Sequence, residues 1–158
     1  MLEVNLWEIL FMNKRLYIIL GRSNSHKSSV MRCLTGSAVT RGNWQMQFLN
    51  NETKTSIVSI TSPQERNRNG LSVQQFLDEI INAKEEIILI TLQSISTTQQ
   101  PNGEVYLQSF IDAGFDIQVI ACFDRNANTL NLPFQLYNTT NVPSNQTASE
   151  VRKLWGLI

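Results

Sequence analysis

The chain has 158 residues, 42% of them hydrophobic, which suits one domain with a sizeable core. Its 13 Lys and Arg balance 13 Asp and Glu, so no overall field draws it to nucleic acid or to an anionic membrane. One histidine, His26, and two cysteines, Cys33 and Cys122, exclude a His/Cys zinc cluster or a Ser-His-Asp triad built around several histidines.

Both cysteines lie in apolar segments and are expected as buried free thiols in a reducing compartment. Met1 to Met12 holds Glu3 and Glu8 and no basic leader, so no secretory signal is expected. No run reaches the ~18 apolar residues of a membrane helix. These features predict a cytoplasmic protein with no membrane partner. The sequons at Asn51, Asn138 and Asn145 then count as chance matches.

Residues 1–14 are expected as an N-terminal extension and residues 15–158 as one domain. Leu16 to Leu20 is a short continuous apolar run, as in a strand buried on both faces. Gly21 ends it, a polar loop follows, and Lys27 to Leu34 reads as a helix with Val30, Met31 and Leu34 inward. Trp44 to Leu49 and Lys54 to Ile60 alternate around Asn50-Asn51-Glu52, an antiparallel hairpin. Pro63 to Gly70 reads as a polar loop in which Arg66 and Arg68 face solvent or form a basic rim. A helix opens after Ser72, its N-cap, and runs through Phe76 and Ile80; Asp78, Glu79, Glu85 and Glu86 read as a solvated helix end.

Glu86 to Leu92 predicts a second buried strand, Glu104 to Ala113 a helix stopped by Gly114, and Phe115 to Phe123 a third buried strand. Pro133 to Tyr137 is a further strand candidate, and Ser144 to Leu154 a last helix with Ala148, Val151 and Leu154 inward. Strands alternating with helices imply crossover connections. The predicted class is α/β, a three-layer fold with a mostly parallel sheet and one antiparallel edge hairpin.

The chemistry-bearing stretch is Gly21-Arg22-Ser23-Asn24-Ser25-His26-Lys27-Ser28-Ser29. It follows the pattern G-x-x-x-x-G-K-[ST], with His26 at the second glycine. Such a loop wraps a phosphate in backbone N–H groups while the next helix turns its positive end to the same anion. The expected phosphate-binding residues are Gly21, Ser23, Asn24, Ser25, His26, Lys27, Ser28 and Ser29. Lys27 reaches the outer phosphates and Ser28 ligates Mg²⁺. Glycine at position 26 would allow a left-handed backbone and close phosphate approach; histidine enters that conformation at a cost.

Gly21-Arg22-Ser23-Asn24, then Lys27-Ser28-Ser29 and Cys33-Leu34-Thr35, resemble the first motif and following helix of the EngB-type GTPases, bacterial ribosome-assembly factors of the P-loop class. The order of elements from Leu16 onward is likewise similar to the small-GTPase domain. The resemblance implies a D-x-x-G motif after the hairpin, but Thr61-Ser62-Pro63-Gln64-Glu65-Arg66 stands there. Ile60 or Thr61 replaces the metal-organising Asp, and the glycine is missing. Gln64 matches the water-positioning glutamine and is the catalytic candidate. The resemblance also makes Thr40 a candidate for sensing the γ-phosphate beside the metal. It makes Asp124, in Ala121-Cys122-Phe123-Asp124, the candidate guanine contact, and sets Asn138-Thr139-Thr140 where a further base loop should lie.

The reading is a nucleotide-binding protein of GTPase-like fold with weak or absent hydrolysis. It takes a purine nucleoside triphosphate or diphosphate with Mg²⁺ and acts as a binding module or switch. Two alternatives stay open: an active ATPase or small kinase, and a pseudo-GTPase interaction domain that binds a protein partner and no nucleotide.

Overall fold

The computed structural model describes residues 14–37, 40–96 and 99–158. The expected N-terminal extension lies outside them but for Lys14. The described residues form an α/β fold with a seven-stranded, mostly parallel sheet and four α-helices. In chain order they are β1 (Arg15–Gly21), α1 (Lys27–Thr35), β2 (Arg41–Gln47), β3 (Thr53–Ser59), a 3₁₀ turn (Pro63–Glu65), α2 (Val73–Asn82) and β4 (Ile87–Gln93). There follow α3 (Gly103–Asp112), β5 (Asp116–Ile117), β6 (Ile120–Cys122), β7 (Phe134–Leu136) and α4 (Ser144–Leu154). No helix among the described residues is long and apolar enough to cross a membrane.

The sheet runs β2-β3-β4-β1-β6-β7, with β5 also on β1. Only β2 is antiparallel, paired with β3 as an edge hairpin. β1 is central because its stretch Leu16 to Leu20 is apolar throughout and buries side chains on both faces. Leu16, Ile18 and Leu20 join Phe76 and Ile80 of α2 and Tyr106, Leu107 and Phe110 of α3 on one side. Tyr17 and Ile19 join Val30, Met31 and Leu34 of α1 and Ala148 and Val151 of α4 on the other. Two helical layers therefore sandwich the sheet, as strands buried on both faces require.

Several local expectations change. The third strand is two short pieces. Leu16 pairs Ile117 but Ile19 pairs Ala121, so one extra residue bulges between β5 and β6. There the Val119 carbonyl accepts from Trp155 Nε1 at 2.7 Å, away from the ladder. Cys122 is buried and Cys33 exposed, both free, because Cys33 falls off the stripe that α1 turns inward. Arg66 is neither a basic rim nor a solvated residue. It donates to both Glu79 oxygens at 2.8 and 2.6 Å and to Ser59 Oγ at 2.6 Å, and lies 5.6 Å from the Phe76 ring. Glu79 also accepts from Arg41, so it ties the hairpin and the 3₁₀ region to α2 and is no free helix-end acid.

Helix ends explain local order. Ser72 and Gln75 form a reciprocal capping box at the start of α2. Its far end is closed by Lys14, whose buried ammonium donates to the carbonyls of Ile80 at 3.0 Å, Ile81 at 3.3 Å and Ala83. α1 stops at Gly36, which takes a left-handed φ of 70°. The start of α1 has no side-chain cap at all.

Candidate phosphate-binding site

The uncapped start of α1 opens on a crevice that the topology creates. β1 and β4 are neighbours in register, Gly21 opposite Gln93, and Ser94 N donates to Gly21 O at 2.9 Å. Beyond this point the chain leaves β1 for α1 on one face and β4 for α3 on the other. Such divergence at the carboxyl ends of parallel strands leaves a crevice where ligands of open α/β sheets bind. The cavity there, of about 290 Å³, is lined by the run Ser23 to Ser29 and by Glu65.

The loop is wound on one carbonyl. Arg22 O accepts from Ser25 N at 3.2 Å, Ser25 Oγ at 2.6 Å and Lys27 Nζ at 2.7 Å. Asn24 and His26 both take left-handed backbone angles, with φ of 62° and 70°. The second-glycine position does need positive φ, and His26 adopts it; for a residue with a Cβ this costs about 1 kcal/mol or more. Gly21 sits where there is little room for a side chain: a Cβ there would meet Ser25 Oγ at 2.5 Å and Phe123 Cβ at 3.0 Å. From the other side, Thr139 Oγ1 donates to Ser25 O at 2.9 Å.

Electrostatics at the cavity is set by Lys27, 6% exposed. Burial pulls its amine below the ordinary lysine value, and the Glu65 carboxylate partly opposes that pull. The N–H groups of the first turn of α1 have no intrahelical acceptor by geometry. Together with the ammonium they make an anion-seeking concavity. Ser28 Oγ donates to Ile60 O at 3.2 Å, and Thr91 Oγ1 donates to the same carbonyl at 2.7 Å. That carbonyl stands where the resemblance implies a carboxylate. The Ile60 side chain is wholly buried in the core.

The structure thus brings Ser23 to Ser29 together around one cavity; Gly21 is not among its lining residues and lies against Ser25, Lys27 and Phe123. Thr40 is exposed and outside that lining; its carbonyl accepts from Ile60 N at 2.8 Å as an extension of the hairpin. Gln64 is completely buried. Its Nε2 donates to Gln93 O at 2.9 Å and its Oε1 accepts from Gln93 N at 3.2 Å, so the amide mounts the 3₁₀ turn on β4.

Asp124 is 6% exposed, with Oδ2 accepting from Ser94 Oγ at 2.7 Å and Oδ1 from Asn126 N at 3.0 Å. It lines a second cavity of about 420 Å³ with Phe123, Arg125, Leu136, Tyr137 and Asn138. Arg22 Nε lies 3.8 Å from Asp124 Oδ2, which ties the loop to the edge of the second cavity. Glu65 is the site residue that sequence reasoning passed over. It follows Gln64 directly, and that adjacency was the available signal.

Among the described residues, no three His, Cys, Asp or Glu converge as metal ligands. Comparison with protein-family models, curated proteins and solved structures found no match.

Proposed function

We propose that this chain binds a purine nucleoside triphosphate or diphosphate, with the loop from Gly21 to Ser29 as its phosphate cradle. It acts as a binding module or switch with weak or absent hydrolysis. The observation that carries this reading is the buried Lys27 ammonium opening, with the uncapped start of α1, on one cavity. On binding, Lys27 exchanges the Arg22 carbonyl for phosphate oxygens, and the first-turn N–H groups donate to the same anion. The resemblance of the loop to the EngB-type GTPases supports the same reading, and with it the P-loop class.

Ser28 and the phosphates fit a hard divalent cation such as Mg²⁺, which takes few protein oxygens and keeps waters and substrate phosphates as ligands. Bound there, Mg²⁺ would neutralise phosphate charge. Weak hydrolysis follows from the clasp that keeps Gln64 off any attacking water. The base is assigned to the cavity beside Asp124 and Tyr137, with Asp124 as the guanine contact.

Titration with fluorescently labelled GTP and ATP tests this. The wild-type chain is expected to bind, and Lys27→Met to weaken binding at least about tenfold without loss of fold, since a buried charge is removed. No binding at millimolar nucleotide overturns the cradle. A GTP preference lost in Asp124→Ala supports the guanine contact, and an unchanged preference removes it.

A further inference from the structure

We propose that Glu65 supplies the acid missing from the end of β3, holding the divalent cation of the bound nucleotide together with Ser28. This rests on the phosphate-cradle reading above and adds to it the residue that makes binding depend on the metal.

Three observations converge on Glu65. It is the one carboxylate among the residues lining the cavity that also holds Lys27 and Ser28. It is also aimed. One carboxylate oxygen accepts from Ser62 Oγ at 3.1 Å and the other from Gln93 Nε2. A carboxylate oxygen accepts more than one contact, so both keep lone pairs for a metal or its water. Finally, the turn that carries it is mounted on β4. Gln64 is bonded at two points to the Gln93 backbone, directly opposite Gly21 in the sheet. Gln93 therefore holds both residues, Gln64 through its main chain and Glu65 through its side chain.

The donor chemistry fits. The Ser28 hydroxyl hydrogen is committed to Ile60 O, which leaves its oxygen as an acceptor for a cation. One carboxylate, one hydroxyl, phosphate oxygens and waters form the kind of shell Mg²⁺ accepts. Without metal the same carboxylate faces the phosphates as a like charge and opposes them. Glu65 therefore makes the cradle a site for metal-complexed nucleotide and disfavours the free anion.

The test measures the affinity of fluorescently labelled GTP in EDTA and in Mg²⁺ for the wild-type chain, Glu65→Gln and Lys27→Met, with Mn²⁺ electron paramagnetic resonance of the nucleotide complex as a second readout. Glu65→Gln retains an acceptor for Gln93, so the turn stays in place; a thermal melt matching wild type checks this. We expect Mg²⁺ to strengthen wild-type binding about tenfold or more. Glu65→Gln should bind as well or better in EDTA, lose most of the Mg²⁺ gain, and leave nucleotide-bound Mn²⁺ with a changed spectrum. An undiminished Mg²⁺ gain and unchanged spectrum in Glu65→Gln overturn the assignment while leaving the cradle standing. Wild-type binding that Lys27→Met leaves intact in both buffers overturns the cradle and, with it, this role for Glu65.

Discussion

The hydroxyl of Thr139 donates to the carbonyl of Ser25, joining the β7–α4 connection to the middle of the loop that starts α1. With Phe123 packed under Gly21, this bond braces the loop from the side of the second cavity. Thr139→Val keeps the shape and removes the donor. We expect a loss of about 1 kcal/mol in stability by denaturant melting. Nucleotide affinity should fall several-fold, because the loop is less ordered before binding.

His26 takes a left-handed backbone with a Cβ, and its side chain caps nothing. Glycine removes that strain and adds back some unfolded-state entropy. His26→Gly should therefore raise stability by about 0.5–1 kcal/mol. A lowered melting temperature would mean that the imidazole makes a contact worth more than the strain.

The α1 region was legible in the sequence because each signal was local. An apolar run, a loop pattern and a helical stripe of Val30, Met31 and Leu34 do not depend on distant partners. The hairpin and the helix stop at Gly114 were legible for the same reason. What could not be read depends on sheet order. β4 lies between β3 and β1, so its polar end, Gln93 with Ser94 just beyond it, sits beside Gly21. No spacing in the chain announces that neighbourhood. It decides that Gln64 is buried against Gln93, that Glu65 reaches the cavity, and that Ser94 meets Asp124. The bulge between β5 and β6 was hidden likewise, since it answers to Trp155 on another element.

Lys14 closes the end of α2 with an ammonium aimed at three carbonyls. A cation at this end also meets the negative pole of the helix. Lys14→Met fills the same space but leaves buried carbonyls unpaired, and should cost about 2 kcal/mol in a urea melt. A change within experimental error would show that water replaces the ammonium there.

Tyr106 is buried between α2 and α3, donates to Leu71 O at 2.6 Å, and has its phenol pushed up to about 12 by burial. Between pH 10, the ordinary value, and about 12, the unfolded chain gives up this proton while the folded chain keeps it. Stability must therefore fall as pH rises through that window, and be unaffected by this group below it. Tyr106→Phe should flatten that part of the fall, and should cost about 1 kcal/mol at neutral pH through the lost bond. Melts at neutral and alkaline pH for both chains measure this; equal alkaline slopes would contradict it.

The cradle itself is tested most directly by adding unlabelled GTP with Mg²⁺ to the ¹⁵N-labelled chain and following its backbone amide resonances. We predict saturable shifts centred on the amides of residues 23–29, with the largest at the first turn of α1, and smaller ones at Glu65 and Thr139. Shifts absent at millimolar nucleotide, or saturating elsewhere while residues 23–29 stay still, would contradict the account.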